Sequence, residues 1–166
     1  MTKTLQMSSI NKIKHNKEAI EKKIGVKITF KGRTIEIEGN PVEEYEAVTI
    51  LEALDFGFAL KDAIRLTDEN VIFRKLPIKH FTKRKNLEEV RGRVIGTKGK
   101  TKRNVEDVSG CAVALHNNTV GIIGPAENIE ETTTGIKNLI KGSKQANVYR
   151  FLEKMNTAKR EKLFFK

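Results

Sequence analysis

The chain of 166 residues has no tryptophan, two tyrosines, three prolines and one cysteine, and aromatic residues make up only 6% of it. A single cysteine excludes a disulfide framework and a thiolate zinc set. Cys111 also falls on the inward phase of an alternating run, which fits a small buried apolar residue. No apolar run approaches the length needed to cross a membrane, and the first residues lack the apolar core of a signal peptide. The expectation is a cytoplasmic protein that makes no membrane contact. The chain also lacks a clustered carboxylate pair, a metal-ligand spacing, a Walker loop and a Ser/His/Asp set, and His15, His80 and His116 are scattered. These absences point away from an enzyme: no catalytic residue, no metal site and no cofactor is expected.

Positive charge is plentiful. Thirty-two Lys and Arg against 21 Asp and Glu leave a formal charge of +11. An excess of this size favours a polyanionic partner, most often nucleic acid. The densest cluster lies in Arg91-Gly92-Arg93-Val94-Ile95-Gly96-Thr97-Lys98-Gly99-Lys100-Thr101-Lys102-Arg103. Glycines three apart permit a tight bend with bare backbone against a ligand. A helix starting just after the bend would present unpaired N–H groups and a partial positive charge, which suit phosphate. With few aromatics to stack bases, an RRM or OB surface is disfavoured.

The chain also repeats itself. A shift of 85 positions lays Ile10–Leu66 on Ile95–Phe151 without a gap, with about a fifth of the positions identical. Glu21 meets Glu106, Gly25 meets Gly110, Thr34 meets Thr119, Gly39 meets Gly124 and Gly57 meets Gly142. Each copy reads as a helix closed by glycine, two strands of period-two alternation and a longer helix. In the first copy these are Lys17–Ile24, Val26–Phe30, Thr34–Glu38 and Val42–Phe58. In the second they are Thr101–Val108, Cys111–Leu115, Thr119–Ile123 and Glu127–Leu139. An opening strand is expected around Val71–Phe73, a short helix from Leu87 into Arg91, and a last helix over Ala146–Lys162. The copies differ at the bend, where Asn11-Lys12-Ile13-Lys14 replaces Gly96-Thr97-Lys98-Gly99. The first copy has therefore lost the phosphate cradle, and it packs, extends the surface weakly or meets a protein.

A G-x-x-G bend between helices, followed by a helix, a hairpin and a helix, resembles the KH module, whose loop clamps about four backbone nucleotides of a single strand. The fold class expected is α+β: two tandem type I KH modules (βααββα), each a three-stranded antiparallel sheet with helices on one face, plus a C-terminal helix. The domains are 1–66, lacking the glycines, and 67–166, with the loop intact. In the second domain Gly96, Thr97, Lys98, Gly99, Lys100 and Thr101 would hold phosphates. Arg93, Lys98, Lys100, Lys102 and Arg103 would attract the strand, and Ile95 and Val105 would form one apolar wall for the bases, with Val113 and Leu115 on the facing strand.

Residues Val90–Arg103, Thr119–Gly124 and Asn147–Glu153 further resemble the archaeal and eukaryotic Dim/Pno family of small-subunit rRNA-processing KH proteins. That likeness covers nearly the whole chain. It implies binding of single-stranded RNA near the 3′ end of small-subunit (16S) rRNA during ribosome biogenesis. It also implies partnership with the Nob endonuclease and with the alpha subunit of the archaeal initiation factor. Two rivals stand beside it. One is a protein–protein scaffold in ribosome assembly. The other is a KH subunit of an RNA-degradation complex, which would normally bring an S1-type barrel that this sequence lacks.

Overall fold

Alternation, capping and glycine spacing translate into two compact units, Met1–Glu69 and Asn70–Lys166. The structure, a computed structural model, describes residues 2–164. The outermost positions of the two expected domains, 1 and 165–166, lie outside that range.

The first unit contains β1 (Thr2–Gln6), α1 (Ile10–Ile24), β2 (Lys27–Lys31), β3 (Thr34–Glu38), α2 (Pro41–Phe56) and the short α3 (Leu60–Ala63). Its antiparallel sheet runs in the order β1-β3-β2. Ile13, Ile20 and Ile24 of α1 and Ile50, Leu51 and Leu54 of α2 are buried, as are Ile28, Ile35 and Ile37 from the sheet. A capping box starts α2: Glu43 N–H donates to Asn40 Oδ1, and Asn40 N–H donates to Glu43 Oε2.

The second unit contains β4 (Val71–Pro77), α4 (Leu87–Ile95), α5 (Lys100–Ser109), β5 (Ala112–His116), β6 (Thr119–Pro125), α6 (Ala126–Lys141) and α7 (Gln145–Phe164). The sheet order is β4-β6-β5, again antiparallel. Its core gathers Val90 and Val94 from α4, Val105 from α5, Val120 and Ile122 from β6, and Ile129, Ile136 and Leu139 from α6. Helix α7 adds Val148 and Leu152. It closes on α6 at Gly135, where a Cβ would stand 3.3 Å from both Val148 and Leu152.

The 85-residue offset seen in the sequence is also an offset of contacts. Glu21 Oε1 accepts from Ile28 N–H, and Glu106 Oε2 accepts from Val113 N–H. Lys17 lies 3.9 Å from Glu21, and Lys102 lies 2.9 Å from Glu106. A Cβ on Gly39 would strike Val26, and one on Gly124 would strike Cys111. Residues of the same repeat positions thus meet the same partners in both units.

The offset breaks at the first strands. Gln6 pairs with Thr34, and Pro77 pairs with Thr119. The second strands of these pairs are 85 residues apart, but the first are 71 apart. Fourteen of the residues between β4 and Ile95 therefore have no counterpart between β1 and Ile10. In consequence the first unit runs βαββα through α2, not the expected βααββα, and this corrects the sequence reading. One continuous helix, Ile10–Ile24, stands where a helix, a bend and a helix were expected. The reason is local: no glycine interrupts Asn11–Lys14, and Ile13 within it is fully buried.

Candidate nucleic-acid interface

Helix α4 stops at Ile95 because Gly96 leaves helical geometry at φ 76°, ψ 173°, while its N–H still donates to Gly92 O at 2.8 Å. Thr97, Lys98 and Gly99 form one tight turn, closed by Gly99 N–H donating to Gly96 O at 3.1 Å. Both Lys98 (φ 55°) and Gly99 (φ 76°) are left-handed, after which α5 begins at Lys100 with no side-chain cap. Lysine at positive φ is unfavourable, so the two flanking glycines hold Lys98 at the apex against its own preference.

The glycines answer different needs. A Cβ on Gly96 would lie 2.1 Å from Thr101 Oγ1 and 2.7 Å from Thr101 N, so Gly96 is the close packing point of the bend. A Cβ on Gly99 would meet nothing within 4 Å. That open side of the loop is where backbone can approach a ligand.

The expected contact residues separate into two groups. Thr97, Lys98, Lys100 and Arg103 are exposed, and Ile95 is 37% exposed beside them. No ion pair holds Lys98, Lys100 or Arg103 among the described residues. The others are engaged in the protein. Thr101 is only 2% exposed beneath Gly96. Lys102 is tied to Glu106 at 2.9 Å. Arg93 turns to the α6–α7 junction, where its Nη2 donates to Ser143 O at 3.2 Å and Gln145 Nε2 donates to its carbonyl at 3.4 Å. Val113 belongs to the core at 2% exposure, and Leu115 is half-buried against that core.

One functional residue escaped the sequence reading. The Glu106 carboxylate joins Lys102 on α5 to the Val113 N–H on β5, so it sets the spacing of helix and strand on this side of the unit. Its coincidence with Glu21 under the 85-residue shift was the available signal. In the first unit the entry of α1 is occupied by the protein's own anion. Asp55 Oδ1 accepts from Ser8 N–H, Ser8 Oγ and Ser9 N–H at 2.8, 3.0 and 2.6 Å.

Charge follows the same division. Residues 1–69 hold eleven Lys and Arg against twelve Asp and Glu, whereas residues 70–166 hold 21 against nine. The second unit therefore carries a formal +12 and the first −1. No described helix is long and apolar enough to cross a membrane.

Residues 72–157 match the family model for the second domain of PNO1, a eukaryotic-type, type I KH domain. The chain is 30% identical to Dim2p from Pyrococcus horikoshii, with a TM-score of 0.82 over 93% of this chain and 99% of that one. A complex of a/eIF2alpha, aDim2p and rRNA from the same organism contains a chain 29% identical, again with a TM-score of 0.82, over 95% of each. Among curated relatives, a KH domain-containing protein of Methanocaldococcus jannaschii is 30% identical over 145 residues, 83% of this chain and 64% of that protein. The RNA-binding protein pno-1 of Caenorhabditis elegans is 29% identical over 156 residues, 87% of this chain and 56% of that protein. The chain thus spans less than two-thirds of the length of these two curated relatives.

Proposed function

Given that the chain belongs to the Dim/Pno family of KH proteins, we propose that it binds single-stranded RNA through the Gly96–Gly99 loop in small-subunit rRNA maturation. The observation that carries this is the loop itself: an uncapped start of α5 beside Gly99's open side, with Lys98, Lys100 and Arg103, which have no ion pair among the described residues, around it. The α5 start offers partial positive charge, and the three cations add full charges. Phosphates of about four nucleotides then pass over Gly99, with bases toward Ile95 and Leu115. Arg93, Thr101, Lys102 and Val113 shape the surface from below.

We read the two units as tandem KH modules, 1–66 and 67–166. The first is a shortened copy, and the shared contacts at Glu21 and Glu106 support that kinship. The rRNA in the Pyrococcus complex supports ribosomal RNA as the ligand, and the a/eIF2alpha in that complex supports the initiation-factor alpha subunit as a partner; a target near the 3′ end of 16S rRNA follows from the family resemblance alone. The Nob endonuclease follows from the family resemblance alone. The protein acts in the cytoplasm as a binding module rather than a catalyst.

Gly99→Asp is the sharpest test. Aspartate enters left-handed backbone more readily than most residues, and no neighbour blocks a side chain at Gly99, so the fold survives at a modest cost from the positive φ while a negative charge meets the phosphates. Affinity for a short single-stranded RNA is expected to fall more than tenfold, with a native circular dichroism spectrum and a cooperative melt lowered by only a few degrees. Wild-type affinity in this variant would sink the proposal.

A further inference from the structure

Although the first unit has no glycine loop, the face corresponding to the loop's groove carries a distinct surface. Phe30 on β2, half-buried, takes the repeat position of Leu115. Lys14 Nζ lies 5.6 Å and Lys17 Nζ 5.9 Å from the centre of its ring. These lysines stand three apart on one face of α1, at the repeat positions of Gly99 and Lys102. Arg33 is exposed at the β2–β3 turn, next to Lys31. Two carboxylates share the neighbourhood. Glu36 pairs with Lys31 at 2.9 Å, and Glu21 lies 3.9 Å from Lys17 while holding Ile28 N–H. Neither Lys14 nor Arg33 has an ion pair among the described residues. Residues 2–33 hold nine Lys and Arg against two Glu, so this cationic segment lies within a unit of net −1.

We infer that Phe30, Lys14, Lys17 and Arg33 form an accessory contact for single-stranded RNA, with one base stacked on the Phe30 ring and the cations on its flanking phosphates. The ammonium groups now over the ring are held by its quadrupole. An incoming base makes the larger contact with that ring, and each displaced lysine regains a phosphate. An acidic peptide would satisfy the cations but would leave the ring without a partner, so nucleic acid fits the patch better. The inference goes beyond the loop reading and shares only its ligand class.

The test uses the full chain. Phe30→Leu introduces the side chain that the second unit carries at Leu115, so packing is kept and the ring is lost. Combined with Lys14→Glu, it is expected to lower affinity for a single strand of about twenty nucleotides roughly tenfold. Affinity for a four-nucleotide strand, which engages the loop, stays at the wild-type value. A bromouridine-substituted long strand should crosslink to the peptide bearing Phe30 on irradiation. Equal affinity of variant and wild type for the long strand, with no such crosslink, overturns the inference and leaves the loop reading standing. A wild-type protein that binds neither strand overturns both. Suppression of the crosslink by polyglutamate added before irradiation, but not by excess unlabelled RNA, assigns the patch to an acidic protein and overturns the RNA assignment.

Discussion

A methyl group at Gly96 would collide with Thr101, while one at Gly99 would meet open space. The same motif letter therefore marks a packing constraint at one end of the loop and access for a ligand at the other. Glu106 illustrates the converse, a residue that touches no proposed ligand yet governs the site. Its carboxylate serves Lys102 and the Val113 amide together. Removing a partner of a part-buried amide costs about 1–3 kcal/mol. Glu106→Ala is expected to lower stability by that amount in chemical denaturation and to weaken RNA binding as well. Glu21→Ala, its repeat counterpart, should show the stability loss with no change in affinity for a four-nucleotide strand.

Among the elements, α1 is the informative one. It runs through the four positions where its counterpart bends, because Asn11–Lys14 holds no glycine and Ile13 anchors that turn in the core. Restoring the letters alone does not restore the loop, since the fourteen residues that include most of α4 are missing as well. Asn11→Gly with Lys14→Gly is expected to cost about 1–2 kcal/mol from the two helix-interior substitutions. It should create no new affinity for short RNA, as measured by thermal melting beside a binding titration. A gain in affinity would show that the helix yields to a loop more readily than its buried face implies.

Over the molecule as a whole, the net positive charge belongs to the second unit, +12 against −1 for the first. Binding that releases condensed counterions gives a straight line of log affinity against log salt, with a slope near −0.7 per phosphate for single strands. The three internucleotide phosphates of a four-nucleotide strand over the loop predict a slope of about −2. Lys98→Ala should reduce its size by roughly one phosphate's share. A flat titration would deny the phosphate contacts their role.

Much of this was legible from the order of residues. The repeat, the hairpins and the glycine loop appear there because alternation and helix-ending glycines act through near neighbours, and Thr34–Glu38 forms a strand with the bounds that its alternation indicates. Placement of single side chains was not legible in the same way. Arg93 sits within the cationic run, yet its partner Ser143 lies fifty positions along. Val113 alternates correctly, but only the packed sheet decides that its side enters the core. The 71-residue spacing of the first strands likewise emerges only from sheet register. Local chemistry, written in a few consecutive residues, settles which backbone bends. Which charges remain free for a ligand depends on distant parts of the chain meeting, and the fold alone brings them together.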